Sequence, residues 1–248
     1  MRRQTRARRQ NSVCPSRRQR ITSHLPVCVA FHTGYAARVR AAGWLDRVLL
    51  RAPFEGGSAR RYADQERPAF GDFDDRVIDG WPALAHAKCL LDLGFGPGAF
   101  AHRARMHYPQ LRVIAVDRSR DYARRHVGLH VVRAAGEALP LRDGACDAAI
   151  CLSSLRHVRD RAATLRELRR VVAGSLLVIE LDPAADARRI ATHAAGITSS
   201  VLRRAFGPLV VRTAPPRPTV EALAVSAGWR VHARRDDEVQ PVYIVELV

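Results

Sequence analysis

Five short apolar runs, separated by stretches long enough for helices or loops, occupy residues 88–182 and leave few folds open. KCLLDLG, LRVIAVD, LHVVRA, GACDAAICLSS and GSLLVIELD are β-branched or leucine-rich, and Gly, Asp or Pro bounds them, so each reads as a strand. AFAHRARMHY, RDYARRHV and RAATLRELRRVVA read as intervening helices. Strands alternating with helices form a parallel sheet covered on both faces, with right-handed crossovers. Near-continuous apolar runs such as LLVIEL fit that double burial, because neither face of the strand meets water. Beyond residue 182 the rhythm changes. Residues 183–217 read as a helical, Pro-rich insertion, and PTVEALAVSAGW as a helix closed by Gly228. WRVHARR and VYIVELV are strands separated only by DDEVQP, a spacing that makes a hairpin. The expected architecture is a doubly wound, Rossmann-like α/β fold: a mostly parallel seven-stranded sheet with an antiparallel C-terminal strand pair.

Before the first strand, acids and bases interleave with Tyr62, Phe70, Phe73, Val77 and Ile78, which predicts a helix ending near Gly80, with a break at Pro82. Earlier still, residues 1–45 hold ten arginines and no acidic residue. The chain divides into an Arg-rich segment, 1–57, expected to be disordered or loosely attached, and a domain, 58–248, carrying the insertion. A transit peptide or a start assigned too early would read the same way. The net charge of +17 suggests nucleic acid, but the ten leading arginines leave 31 basic residues against 24 acidic ones in the remainder. Lys88 is the sole lysine, a bias that fits a GC-rich genome better than selection for phosphate contacts. The five cysteines form no C-x-x-C pair, which argues against a disulfide framework or zinc site and for a reducing, cytoplasmic compartment. No metal cluster stands out, and no apolar run approaches the roughly 18 residues of a membrane span.

In an open α/β sheet, ligands bind beyond the carboxyl ends of the strands, where the strand order reverses. LLDLGFGPGAF, residues 90–100, places Gly94, Gly96 and Gly98 there, with Asp92 just ahead. Glycines allow a tight turn and close ligand approach, and the next helix offers N–H groups at its N-terminus. As G-x-G-x-x-A the loop fits a dinucleotide fingerprint, with Asp117 as the ribose acid. As D-x-G-x-G-x-G it resembles motif I of the class I S-adenosylmethionine-dependent methyltransferases. The glycines alone leave both cofactors open.

Downstream residues separate them. RAAGEALPLRDGACDAAICLSSLRHVRD resembles the stretch of that family that reads like G-D-A-E-x-L-P-F, F-D, an apolar strand and L-x-H-x-x-D, with matches at Glu137, Leu139, Pro140, Asp147, Leu155, His157 and Asp160. ELRRVVAGSLLVIELD resembles its next helix and strand, with Ala173–Gly174 where the family has P-G-G. The resemblance covers about residues 58–248 and is nearest to the UbiE-like, type 11 small-molecule methyltransferases. It implies S-adenosylmethionine as cofactor and SN2 transfer of its methyl group to a small-molecule acceptor. It further implies that Asp92 orients the methionine ammonium and that Gly94, Gly96 and Gly98 frame the tail. Asp117 would accept hydrogen bonds from the ribose hydroxyls. The family's usual adenine-binding Asp is Ala135 here, so that contact falls to the backbone around Gly136 and Glu137 or to another part of the chain.

Each residue also has a plainer reading: a loop-tying carboxylate for Asp92, and a helix N-cap for Asp117. His157, on the rim after the fourth strand, is either a proton acceptor or a structural imidazole under the cofactor. Ser153, Ser154 and Arg156 share that rim. Arg156 either holds an acidic or enolate acceptor or is simply solvated. The insertion, with His193, Phe206 and Pro215–Pro216, covers the acceptor together with the helix near Tyr62, or pads the sheet edge. RNA methylation and cofactor binding without catalysis are the alternatives, with a nicotinamide dehydrogenase behind them. CLSS lacks the N/D-P-P-Y of enzymes that methylate base amino groups.

Overall fold

The computed structural model describes residues 55–57, 59, 70–125, 129–197, 200–212 and 214–248. Tyr62 and nearly all of the Arg-rich segment lie outside them. Helices α1 (Phe73–Asp79) and α2 (Pro82–His86) precede β1 (Cys89–Leu93). Next come α3 (Ala99–His107), β2 (Arg112–Asp117), α4 (Arg120–Arg125), β3 (His130–Arg133) and β4 (Cys146–Leu152). A 3-10 turn (Leu155–His157) leads to α5 (Arg161–Val171) and β5 (Val172–Leu181). The insertion holds α6 (Ala187–Ala195), α7 (Ser200–Ala205) and a π turn (Phe206–Val211), and α8 (Arg217–Ser226), β6 (Val231–Asp236) and β7 (Val242–Leu247) close the chain.

The seven strands lie in the order β3-β2-β1-β4-β5-β7-β6. Strands β1 to β5 pair in parallel, and β7 pairs antiparallel with both β5 and β6. The expected C-terminal hairpin of β6 and β7 is present, with β7 between β5 and β6 and β6 at the edge. Chain order runs outward in both directions from β1, so the crevice between β1 and β4 is the switch point.

Alternation along the strands sorts the core into two layers. Leu90, Val113, Ile150, Ile179 and Ile244 face α1, α2, α3 and α6. Leu91, Ile114, Cys151, Val178 and Val245 face α5 and α8. Helix α1 ends where the sequence predicts: the Gly80 N–H donates to Arg76 O, and Pro82 begins α2, where its missing N–H costs nothing. Strand β5 follows α5 directly. At Gly174 a Cβ would lie 2.2 Å from the Asp147 carbonyl oxygen, beside a register shift between β4 and β5. A glycine there lets the two strands close without a longer turn.

Candidate functional site

At the carboxyl end of β1, the Gly94 N–H donates to Val116 O (2.7 Å) and the Gly98 N–H to Phe95 O (2.8 Å), folding the loop into a tight turn. Gly98 caps α3 in the left-handed conformation, with φ of 82°. Gly96 is also left-handed, at φ +52°, and a Cβ built on it meets nothing within 4 Å. The loop's open side is therefore at Gly96. Its N–H donates to Asp117 Oδ2 (3.1 Å), and the Ser119 N–H donates to Asp117 Oδ1 (2.7 Å). Helix α4 is capped by Ser119, whose Oγ accepts from Asp121 N and Tyr122 N. The cap reading of Asp117 therefore fails. A carboxylate has acceptor sites for more than these two N–H groups, so Asp117 keeps capacity for hydroxyl donors. Burial pushes its carboxyl up, against the backbone N–H groups of Ser119, Gly96 and Arg118, which favour the charged form.

The remaining glycines serve packing. A Cβ on Gly94 would lie 2.4 Å from Ser154 Cβ, and one on Gly136 would lie 2.9 Å from Thr164 Cγ2. Gly94 thus brings the glycine loop against the turn after β4, and Gly136 lets its segment lie on α5. Asp92 is buried in β1 between Ala115 of β2 and Ile150 of β4. Other residues of the downstream motif fasten neighbouring segments to one another. Glu137 Oε1 accepts from Arg159 N (2.7 Å) and Asp160 N (3.1 Å), and Asp160 caps α5 by accepting from Ala163 N (2.9 Å). Asp147 Oδ2 accepts from Lys88 N and Cys89 N, tying the start of β4 to that of β1. Arg170 donates to Leu139 O, Leu141 O, Asp143 and Glu167, pinning the LPLRD segment to α5.

Beyond β4 the turn is unusual. Ser153 has φ of 52°, rare for a residue with a side chain, and its N–H donates to Ile179 O (2.8 Å). Its Oγ is buried without a hydrogen-bond partner. Glu180, fully buried near the end of β5, accepts from the Arg156 N–H through Oε1 (3.0 Å), while its Oε2 has no partner. Burial pushes this carboxyl up to about 7, with Arg156 opposing the shift. The Arg156 guanidinium donates to Val210 O of the π turn (2.9 Å), so the solvated reading of Arg156 fails. His157 ends the 3-10 turn, and burial, then Arg156 and Arg161, push its imidazole down to about 4. Residue-by-residue reading passed over Glu180. Its signal is a lone carboxylate within the apolar run LLVIEL, next to the last residue of the strand.

The insertion is anchored across the top of the sheet. His193 stacks on Phe206 (4.6 Å between ring centres) and meets Phe70 edge-on (4.7 Å), and its Nδ1 is hydrogen-bonded to Gln240 Oε1. The Tyr243 hydroxyl donates to Pro215 O (2.8 Å). His193, Phe206 and Pro215 thus hold the segment after β5 in place.

A family model described as a methyltransferase domain matches residues 91–179, from β1 through most of β5. The ubiquinone/menaquinone biosynthesis C-methyltransferase UbiE of Syntrophotalea carbinolica is 29% identical over 175 residues, covering 62% of this chain and 73% of that protein. The malonyl-[acyl-carrier protein] O-methyltransferase of Geobacter sulfurreducens is 30% identical over 141 residues, covering 52% of this chain and 51% of its own length. Among solved structures, a SAM-dependent methyltransferase from Aquifex aeolicus superposes with a TM-score of 0.57 at 18% identity, covering 76% of this chain and 95% of that one.

Proposed function

We propose that the chain is a class I S-adenosylmethionine-dependent methyltransferase and that it methylates a small-molecule acceptor seated between the turn after β4 and the insertion after β5. The observation that carries this reading is the open, left-handed Gly96 bonded to Asp117 at the switch point. The residues present fit the cofactor. Gly96 leaves room for its tail, the N-terminus of α3 presents N–H groups, and Asp117 retains acceptor capacity for ribose hydroxyls. Asp92 is the carboxylate for the ammonium, and the backbone at Gly136 and Glu137 is the contact for adenine.

When bound, S-adenosylmethionine would supply an electrophilic sulfonium methyl group whose leaving group is the neutral thioether of S-adenosylhomocysteine. The protein's task is alignment and exclusion of water. Glu180 holds the rim through the Arg156 N–H, and Gly94 against Ser154 fixes that rim beside the cofactor loop. His157, neutral at physiological pH, serves as a packing and hydrogen-bonding group, because a conjugate acid this strong makes its imidazole a weak base.

The relatives' names refer to quinone biosynthesis and to a carrier-bound malonyl group, which supports a small organic acceptor and favours neither RNA nor a binding-only role. Among the described residues no helix is long and apolar enough to cross a membrane. The buried free thiols of Cys89, Cys146 and Cys151 support a reducing compartment, which we take to be the cytoplasm. Residues 58–248 are the catalytic unit in this reading, and 183–217 the acceptor's cover. Calorimetry tests it: the protein binds S-adenosylhomocysteine, and Asp117→Ala weakens binding at least tenfold without moving the urea midpoint by more than a few tenths molar. Absence of binding by the folded wild type, or unchanged affinity in Asp117→Ala, overturns the respective assignment.

A further inference from the structure

Resting on the methyltransferase reading, we infer that the acceptor bears a carboxylate and that Arg156 holds it.

Three observations converge on this residue. The first is its place. Arg156 lies two residues beyond Ser154, whose side chain packs on Gly94 of the cofactor loop, and its own guanidinium reaches Val210 in the insertion. It therefore spans the gap between the cofactor loop and the cover, where an acceptor must sit to meet a methyl group.

The second is its unmet bonding. Several structured arginines pair with carboxylates: Arg76 with Asp72 and Asp237, Arg189 with Asp186, and Arg170 with Asp143 and Glu167. The Arg156 side chain, by contrast, donates to one backbone carbonyl and forms no ion pair among the described residues. It is partly buried, and burial lowers its pKa despite the opposing charge of Glu180. Apart from the N–H on Val210 O, its side-chain donors have no protein acceptor among the described residues and are available to an anionic ligand.

The third is charge and shape. Two guanidiniums, Arg156 and Arg161, flank the 3-10 turn, and the Arg161 Nε–H is occupied by Leu155 O. Glu180, with Oε1 on the Arg156 backbone N–H, is a carboxyl that interacts with both. His157 adds no charge at neutral pH. With Nη2 tied to Val210 O, a two-pronged N–H edge of the planar guanidinium remains, and two carboxylate oxygens match such an edge. A phenolate or a lone hydroxyl would use only half of it. The Ser153 hydroxyl, buried without a partner on the same rim, is a further donor.

The test uses full-length protein saturated with S-adenosylhomocysteine and measures, by calorimetry, binding of benzoate, salicylate and malonate against benzamide, salicylamide and malonamide, with phenol as a control. At least one acid binds tenfold or more tightly than its amide and than phenol. Arg156→Leu abolishes that preference while S-adenosylhomocysteine affinity stays within threefold. Arg156→Lys keeps a reduced preference, and it replaces the leucine variant if that one loses S-adenosylhomocysteine binding through misfolding. A preference for phenol, equal binding of acids and amides, no binding by any probe, or a preference that survives loss of the guanidinium overturns the inference. Failure of S-adenosylhomocysteine to bind the wild type is a separate result, and it removes the methyltransferase reading itself.

Discussion

Gly94→Ala and Gly96→Ala look alike in the sequence and are expected to fail in different ways. Both glycines are left-handed, with φ of +75° and +52°, so an alanine at either costs about 1–2 kcal/mol in backbone strain. At Gly94 the new Cβ also falls 2.4 Å from Ser154 Cβ, and relieving that overlap adds about 1–3 kcal/mol. At Gly96 nothing lies within 4 Å, so strain is the whole stability cost there. Urea denaturation should therefore show Gly94→Ala less stable than wild type by about 2–5 kcal/mol and Gly96→Ala by about 1–2 kcal/mol. Binding reverses the order. Gly96→Ala puts a methyl group on the open side of the loop and should cost at least tenfold in S-adenosylhomocysteine affinity, the larger loss of the two. Ser154→Gly removes the atom that Gly94→Ala strikes, so the double variant recovers the overlap energy, about 1–3 kcal/mol, as a favourable coupling. Ser154→Ala keeps that Cβ and recovers none. Equal destabilisation by the two alanines, or no difference between Ser154→Gly and Ser154→Ala as partners, would refute the packing account of Gly94.

Two titratable groups at the rim, His157 and Glu180, make stability respond to pH in opposite directions. His157, lowered from 6.5 to about 4, resists protonation when folded, so its contribution is complete above 6.5 and is lost as pH falls toward 4. Glu180, raised from 4.5 to about 7, keeps its proton when folded, so its contribution is complete below 4.5 and is lost as pH rises toward 7. Relative to wild type, the urea-derived stability of Glu180→Gln should rise with pH by about 1.4 kcal/mol per unit across that window, and that of His157→Gln should fall; parallel curves would remove both assignments. At the other end of β5, Gly174→Ala drives a Cβ into the Asp147 carbonyl and should destabilise by about 2–4 kcal/mol, with S-adenosylhomocysteine affinity retained in the protein that folds. A urea midpoint equal to that of wild type would contradict the close approach of β4 and β5.

The strands were legible because a strand buried on both faces writes its burial into consecutive letters: LLVIEL needs no knowledge of its neighbours to read as β5. The C-terminal hairpin followed from the short spacing between β6 and β7, although spacing alone does not reveal that β7 enters between β5 and β6. The site was legible only as a place. Gly94, Gly96 and Gly136 share one letter, yet Gly96 opens onto space while the other two make room for Ser154 and Thr164, 60 and 28 residues away. A glycine needed for a ligand and one needed for a neighbour differ only in tertiary surroundings, which a linear pattern does not carry. The L-x-H-x-x-D stretch shows the same limit from the other side. Its letters mark chemistry by resemblance, but in the folded chain Asp160 is a helix cap and Leu155 is core. Polar groups left without partners lie nearby, on Ser153 and Glu180. An unmet hydrogen bond is a relation between atoms that folding brings together. Ser153 and Arg156 could therefore be located on the rim from the sequence but not told from ordinary solvated side chains, and Glu180 was not located at all.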